Sequence, residues 1–331
     1  MLSSICCSLY HVAERNFKLS LPLSSDRAAT RALLHSVAKM HYEADLSQVD
    51  IAKRIGVSTA TVSRLLQRAR AEGIVRIEIA DLVSSDDLAT QLTERLGLKR
   101  AAVVEAPVNT ALSALAAPAG TMLLEAGLRA GSVLALGWGR AISAVVAAGL
   151  PAIPGVITVP ATGGMQQHAP HFQVNEFVRR AAEQTGGTPH FVHAPYLPSA
   201  QTRDAFLSDA AIADSVALWD RIDAAIVGVG LPHAVNSPEA SAATPDEQAL
   251  HDAAGDVIRH YFDANGCLIE WEGESRMIAV SPAQLRRVPL VIGVAVGANK
   301  AAAILGAVRA GFISALVTDI RTADAVLAAA T

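Results

Sequence analysis

The stretch SQVDIAKRIGVSTATVSRLLQRARAEGIVRIEI, residues 47–79, decides the fold of the N-terminal part of the chain. Ser47 with Asp50 three residues later is a capping-box-like helix start, and Ile51 and Ile55 line the buried side of that helix. Two helices crossing steeply need a small residue at the crossing, which Ala52 supplies. The turn between them wants a residue that tolerates positive φ, which Gly56 supplies. Val57 packs in the turn, Ser58 caps the next helix, and Val62 plugs the wedge between the two. Val62, Leu65, Leu66 and Ala69 recur as an inward face. Gly73 stops this helix, and residues 74–79 alternate as a strand should. Upstream, Leu33, Val37 and Met40 form one apolar helical stripe. The spacing predicts three helices and a short hairpin over residues 27–80, a winged helix-turn-helix.

If Ser58 opens a recognition helix, its outer side presents Thr59, Ala60, Thr61, Ser63, Arg64, Gln67 and Arg68. The first residues of such a helix reach base edges in the major groove of double-stranded DNA. Arg64 either reads guanine or holds phosphate. Arg68, Arg70 and Arg76 suit backbone phosphate, which fixes register without sequence information. The plainer alternative is a three-helix interaction bundle with a solvated basic face. Charge favours DNA: residues 27–80 carry nine Lys/Arg against five Asp/Glu, whereas residues 81–331 carry sixteen against twenty-four. A basic head on an acidic body is expected when only the head touches nucleic acid.

The whole chain, 331 residues of which 51% are hydrophobic, has the length and apolar content for two domains with sizeable cores. Its longest apolar run, around residues 288–298, falls far short of the ~20 residues a membrane-spanning helix needs. The apolar start near residues 2–10 lacks a basic leader and a cleavage site, so no signal peptide is expected. Three cysteines, Cys6, Cys7 and Cys267, show no metal-ligand spacing and point to a reduced, cytoplasmic protein without metal or cofactor. Residues 1–26 read as a poorly ordered tail. Ser84, Ser85, Asp86 and Asp87 open a linker helix within residues 81–99, and a larger domain fills residues 100–331.

That larger domain alternates apolar strand, glycine turn and Ala-rich helix. Strands are expected at 101–105, 132–136, 156–160, 190–193, 224–229, 289–296 and 313–318, and helices at 111–129, 141–148, 175–184 and 300–309. Several strands are apolar throughout, as parallel strands covered on both faces should be. The pattern predicts an α/β domain, a doubly wound, mostly parallel sheet. Four glycine-bearing loops follow apolar runs: Gly137-Trp138-Gly139-Arg140, Thr162-Gly163-Gly164, Gly228-Val229-Gly230, and Gly297-Ala298-Asn299-Lys300. Ligands bind at the carboxyl ends of such strands, and glycine N–H groups beside a helix N-terminus suit phosphate. Each loop by itself is also readable as a tight turn. Lys300, the only lysine after Lys99, suits a bound anion or a helix surface, and Arg140 has the same two readings. Asp223 and Asp319 either bind hydroxyls or cap, with capping favoured for Asp223. His168 and His171 lack a third partner for a metal.

The head, VAKMHYEADLSQVDIAKRIGVSTATVSRLLQRARAEGIVRIEI, and the motifs LGWGR, DAAIVGVG, YFDANG, GANK and VTDIRTA together resemble the SorC family of sugar-binding transcriptional regulators, over residues 30–330. The resemblance implies an effector domain like the ribose-phosphate isomerase and glucosamine-phosphate deaminase fold, binding a sugar or sugar phosphate. It also implies a homotetramer or dimer of dimers on palindromic or repeated operators. Phosphate binding then falls on Gly137, Trp138, Gly139, Arg140, Thr162, Gly163, Gly164 and Lys300, and the sugar end on Gly228, Gly230 and Asp319. The chain departs from the family pattern at Thr59, Ala141, Val296 and Ile320. The other reading is a sugar-phosphate isomerase or deaminase with an accessory head. The strand DAAIVGVG is apolar where that chemistry would want an acidic cluster.

Overall fold

A computed structural model describes residues 27–44, 46–75, 84–165, 170–232 and 243–330. The chain divides into two compact units, Met1–Leu82 and Val83–Thr331.

The first unit holds α1 (Arg27–Tyr42), α2 (Gln48–Ile55) and α3 (Thr59–Ala71). Each of the last two starts on a serine: Ser47 Oγ accepts the Asp50 N–H and Ser58 Oγ accepts the Thr61 N–H, both at 3.2 Å. Gly56 closes α2 at φ 72°, the left-handed conformation its place in the turn demands. Val37, Ile51, Ala52, Val62 and Leu66 form the core, with Leu34, Ala38 and Ala69 beside it. The α1 stripe is rotated from the expected one: Leu34, Val37 and Ala38 are buried, while Leu33 and Met40 are half-buried. The strand expected after Gly73 lies mostly outside the described residues, and Arg76 with it; Ile74 and Val75 pack against the Leu34 cluster.

The second unit opens with α4 (Ser85–Leu96), capped by Ser84, and then alternates strand and helix. In chain order come β1 (Arg100–Val104), α5 (Ala111–Ala114), α6 (Ala116–Glu125), β2 (Val133–Leu136), α7 (Arg140–Ala148), β3 (Ile157–Pro160), α8 (Val174–Thr185) and β4 (Thr188–Pro189). There follow α9 (Ala200–Ser208), α10 (Ala210–Ala217), β5 (Ala224–Gly228), α11 (Pro245–Gln248), β6 (Gly255–Val257), β7 (His260–Phe262) and α12 (Pro282–Arg287). The unit ends with β8 (Leu290–Val294), α13 (Ala301–Arg309), β9 (Ala315–Asp319) and α14 (Ile320–Ala329). Seven strands form one parallel sheet in the order β1-β9-β8-β5-β2-β3-β4, and β6 and β7 form a separate antiparallel hairpin.

Successive side chains of a strand face opposite sides of its sheet. Along β2, Val133 and Ala135 join one apolar cluster while Leu134 and Leu136 join the other. β8 does the same, with Val291 on one side and Leu290, Ile292 and Val294 on the other. Both faces are covered, which is why these strands read as unbroken apolar runs. From β2 the chain winds outward through β3 to β4, then returns to place β5 on the other side of β2. β2 and β5 therefore flank the point where the winding reverses.

Two elements differ from the sequence reading. The expected helix 111–129 is broken into α5 and α6. Within one continuous helix, Pro118 would clash with the carbonyl of Ala114, where α5 ends; after the break, Pro118 sits in the first turn of α6. The strand expected at 190–193 is instead the two-residue β4, which pairs with β3 only at Thr188 and Pro189.

The Thr162-Gly163-Gly164 loop has a packing role. Thr162 bridges to Ala279 and Gly164 to Pro195, while Gly163 N–H donates to the Ile278 carbonyl at 2.8 Å. A Cβ on Gly163 would stand 2.6 Å from the Ala194 oxygen and 2.8 Å from the Pro195 carbonyl carbon. Gly163→Ala is expected to cost about 1–3 kcal/mol, read as a lower urea midpoint at unchanged slope.

Candidate effector cavity and DNA-reading face

The carboxyl ends of β2, β5 and β8 open into a cavity of about 510 Å³, within the size range of small-molecule sites. Gly137, Trp138, Gly139 and Arg140 line it from the β2–α7 loop, and Gly228, Val229 and Gly230 from the end of β5. Val296 and Lys300 line it beyond β8. The location is the crevice where an open α/β sheet binds ligands. Two nine-residue helices begin at its edge: Arg140 is the first residue of α7, and Lys300 immediately precedes α13. Their N-terminal N–H groups favour an anion. Lys300 Nζ donates to the Val229 carbonyl at 2.5 Å, which anchors the ammonium between the ends of β5 and β8.

Thr162, Gly163 and Gly164 do not line this cavity, being consumed by the packing above. Asp319 does not line it either. Asp319 caps α14 by accepting the Thr322 N–H at 3.3 Å, and its carboxylate also takes the Thr322 hydroxyl. That hydroxyl oxygen in turn accepts the Gly297 N–H at 2.7 Å, so Asp319 shapes the β8–α13 turn from behind. Asp223 precedes β5, at the opposite end of the strand from the cavity, where its carboxylate accepts the Val133 N–H at 2.8 Å.

Sequence reasoning missed the hairpin that completes the wall. Asp256, Ile258 and Arg259 all line the cavity. Val257 pairs with His260, leaving Ile258 and Arg259 as a two-residue loop with φ of 53° and 65°. Such turns normally carry Asn-Gly, so Ile-Arg gives no turn signal. A branched side chain at positive φ is a strained outlier. Asp256 packs on Gly230 so closely that a Cβ there would meet its Oδ1 at 2.0 Å.

Behind the cavity lies a buried charge network. Arg259 Nη1 stands 3.3 Å from Glu247 Oε1 and donates to the Tyr261 hydroxyl at 3.0 Å. Tyr261 donates to Glu247 Oε1 at 3.0 Å and Tyr196 to Oε2 at 3.2 Å. The Thr244 N–H completes the carboxylate's shell at 2.7 Å. Burial pushes both tyrosine hydroxyls above their ordinary pKa, which keeps them protonated donors. The Arg259 guanidinium lies 4.9 Å from the centroid of the Trp138 ring, and Phe172 packs 5.1 Å from the same ring. His171 and Phe172 line the cavity, and the His171 carbonyl accepts the Gly139 N–H at 2.8 Å. Among the described residues no group of three or more His, Cys, Asp or Glu gathers to hold a metal, and no helix is long and apolar enough to cross a membrane.

In the first unit, Ser58, Thr59, Ala60, Arg64, Gln67 and Arg68 are exposed on α3 or at its start, and Thr61 and Ser63 are half-buried. Arg68 Nε pairs with Glu72 at 2.6 Å on the surface.

Residues 80–328 match the family model of a sugar-binding domain, and residues 31–76 match a winged helix-turn-helix DNA-binding model. The sorbitol operon regulator of Klebsiella pneumoniae is 31% identical, over 89% of this chain and 97% of that protein. The erythritol catabolism regulatory protein of Brucella abortus is 28% identical over 92% of this chain and 97% of its own length. The crystal structure of the full-length Klebsiella pneumoniae sorbitol operon regulator superposes with a TM-score of 0.67 at 30% identity, covering 90% of this chain and 99% of that one. These relatives are named as regulators, which sets aside the isomerase or deaminase reading.

Removing one member of a buried ion pair strands the other without solvent. Glu247→Ala is expected to cost about 3–5 kcal/mol, measured as loss of denaturant midpoint. A cost under about 1 kcal/mol would show that the network holds nothing together. By sequence, by family models and by fold, the chain belongs to the SorC family of transcriptional regulators, with a helix-turn-helix DNA-binding domain ahead of a sugar-binding domain.

Proposed function

We propose that this protein controls a carbohydrate operon, reading operator DNA through α3 and responding to a phosphorylated sugar held in the cavity at the β2/β5 junction. The observation that carries this reading is the meeting of Arg140, Lys300 and two helix N-termini at one cavity, with Asp256 the carboxylate that lines it. The cations and helix ends suit the phosphate. Asp256 suits vicinal hydroxyls of the sugar. Gly137, Trp138, Gly139, Gly228 and Gly230 complete the wall around them. The names of the sorbitol and erythritol regulators favour a sugar or alditol as the organic part.

Ser58, Thr59, Ala60, Thr61, Ser63, Arg64, Gln67 and Arg68 form the DNA-facing set. Arg64, in the second turn of α3, is the base-reading candidate, and Arg68 the phosphate contact. The protein acts as a homotetramer or dimer of dimers on paired half-sites. Effector binding alters operator affinity by favouring one of two states, to the extent that the two states differ in affinity for the sugar.

A thermal-shift screen against free and phosphorylated sugars and alditols tests the cavity. A sugar phosphate at ~100 times its dissociation constant adds about 2.7 kcal/mol of stability. That shift disappears in Lys300→Ala. Stabilisation by free sugars alone, or a hit indifferent to Lys300, removes the phosphate from the reading.

Arg64→Ala is expected to weaken operator binding by about 1–3 kcal/mol while leaving the sugar-phosphate shift intact. Unchanged operator selectivity in a gel-shift competition at low and moderate salt would take Arg64 out of the recognition role.

A further inference from the structure

Three cations line the cavity, and they are not alike. Arg140 is exposed and Lys300 half-buried, whereas Arg259 is 3% exposed. Arg259 is met from behind by Glu247, itself 1% exposed, and by the Tyr261 hydroxyl. On the other side its guanidinium lies over Trp138, and its backbone N–H donates to Asp256 Oδ2 at 3.0 Å. Trp138 belongs to the loop after β2 and Asp256 to β6, two elements that share no ladder. One residue therefore joins two separately built parts of the wall. It does so from a turn that is left-handed at both Ile258 and Arg259. That conformation is disfavoured for both residue types, so the surroundings must hold it. The Glu247 pair, the Tyr261 and Asp256 hydrogen bonds and the Trp138 contact are among those that do so.

We infer that Arg259 is a positioning residue: anchored on Glu247, it orients the Trp138 indole and the Asp256 carboxylate toward the effector without itself binding the effector's anion. The inference rests on the reading of this cavity as the effector site. A guanidinium suits the task better than an ammonium, because its plane stacks on an indole while its edge still reaches a carboxylate.

Trp138 can be followed alone in the full-length protein, as the difference between each variant and the same variant carrying Trp138→Phe. Arg259→Met removes charge and plane but leaves Glu247 buried without its cation. Arg259→Met/Glu247→Gln removes both charges and keeps an amide facing the two tyrosines, so it serves where the single variant fails to fold. In the folded variants the Trp138 difference emission moves to the red, and its quenching constant for acrylamide rises about twofold or more. Arg259→Lys keeps the charge and loses the plane, and it gives the same optical change. Difference spectra unaltered in the methionine variants, or fully restored by lysine, overturn the inference.

Inorganic phosphate, titrated by calorimetry, separates positioning from direct binding. Its affinity in Arg259→Met/Glu247→Gln stays within about threefold of the parent protein, and Lys300→Ala loses about tenfold or more. A tenfold loss in the double variant would make Arg259 an anion ligand and overturn the positioning role. If phosphate binds none of these proteins, the anion reading of the cavity falls, while the Trp138 optics still decide what Arg259 does.

Discussion

The 2.9 Å hydrogen bond from the Gly137 N–H to the Ile226 carbonyl is the constraint on which the cavity depends. It extends the β2/β5 pairing one residue past β2, at the point where the chain's winding reverses. Helices on either side of such a point diverge, so the strand ends are left uncovered. A Cβ on Gly137 would lie 3.4 Å from the Val227 Cα, so the close approach of the two backbones leaves little room there. Much of the cavity wall hangs from this junction: the Trp138 loop and α7 on one strand, the Gly228–Gly230 turn on the other, and Lys300 tied across to the Val229 carbonyl.

The hairpin β6–β7 adds what the sheet cannot supply. A parallel sheet offers glycine N–H groups and helix ends, donors suited to anions, but its apolar strands bring no side-chain acceptor for hydroxyls. Asp256 brings a carboxylate to the wall, on a separate element held against Gly230. Holding it there requires an unfavourable turn. Two residues in sparsely populated conformations cost about 1–3 kcal/mol each, and a buried ion pair roughly breaks even against apolar replacements. The network around Glu247 therefore serves geometry more than stability. Its contacts hold the Arg259 guanidinium over Trp138.

How much of this was legible in the sequence follows from what each element depends on. Local rules placed α2 and α3, because a cap serine and a left-handed glycine each leave a residue-level mark, whereas the α1 stripe came out rotated. Parallel strands were equally legible as apolar runs, save where β4 shrank to Thr188 and Pro189. Of the four glycine loops, three border the cavity and one, at Thr162, is spent on packing. Nothing in the sequence separates them, since a glycine admitted for close packing looks like one admitted for a ligand. Asp319 raised the same ambiguity; in the structure it caps α14. Asp256 and Arg259 were invisible for a different reason. Their turn contains neither Gly nor Asn, and their partners Glu247, Trp138 and Tyr196 are distant in sequence. Only the motif YFDANG, residues 261–266, marked the neighbourhood.

Charge distribution separates the two tasks of the chain. Residues 27–80 carry a net +4 and residues 81–331 a net −8. A net negative body is repelled by nucleic-acid phosphate. Non-specific affinity is then limited to the few basic residues of the head and weakens steeply with salt. A regulator built this way gains from the effector only what its two states differ by in sugar affinity. Such a difference needs a cavity wall with two discrete arrangements. The turn at Ile258 and Arg259, held by a buried ion pair, the Tyr261 hydroxyl and the Trp138 contact, is the strained part of this wall.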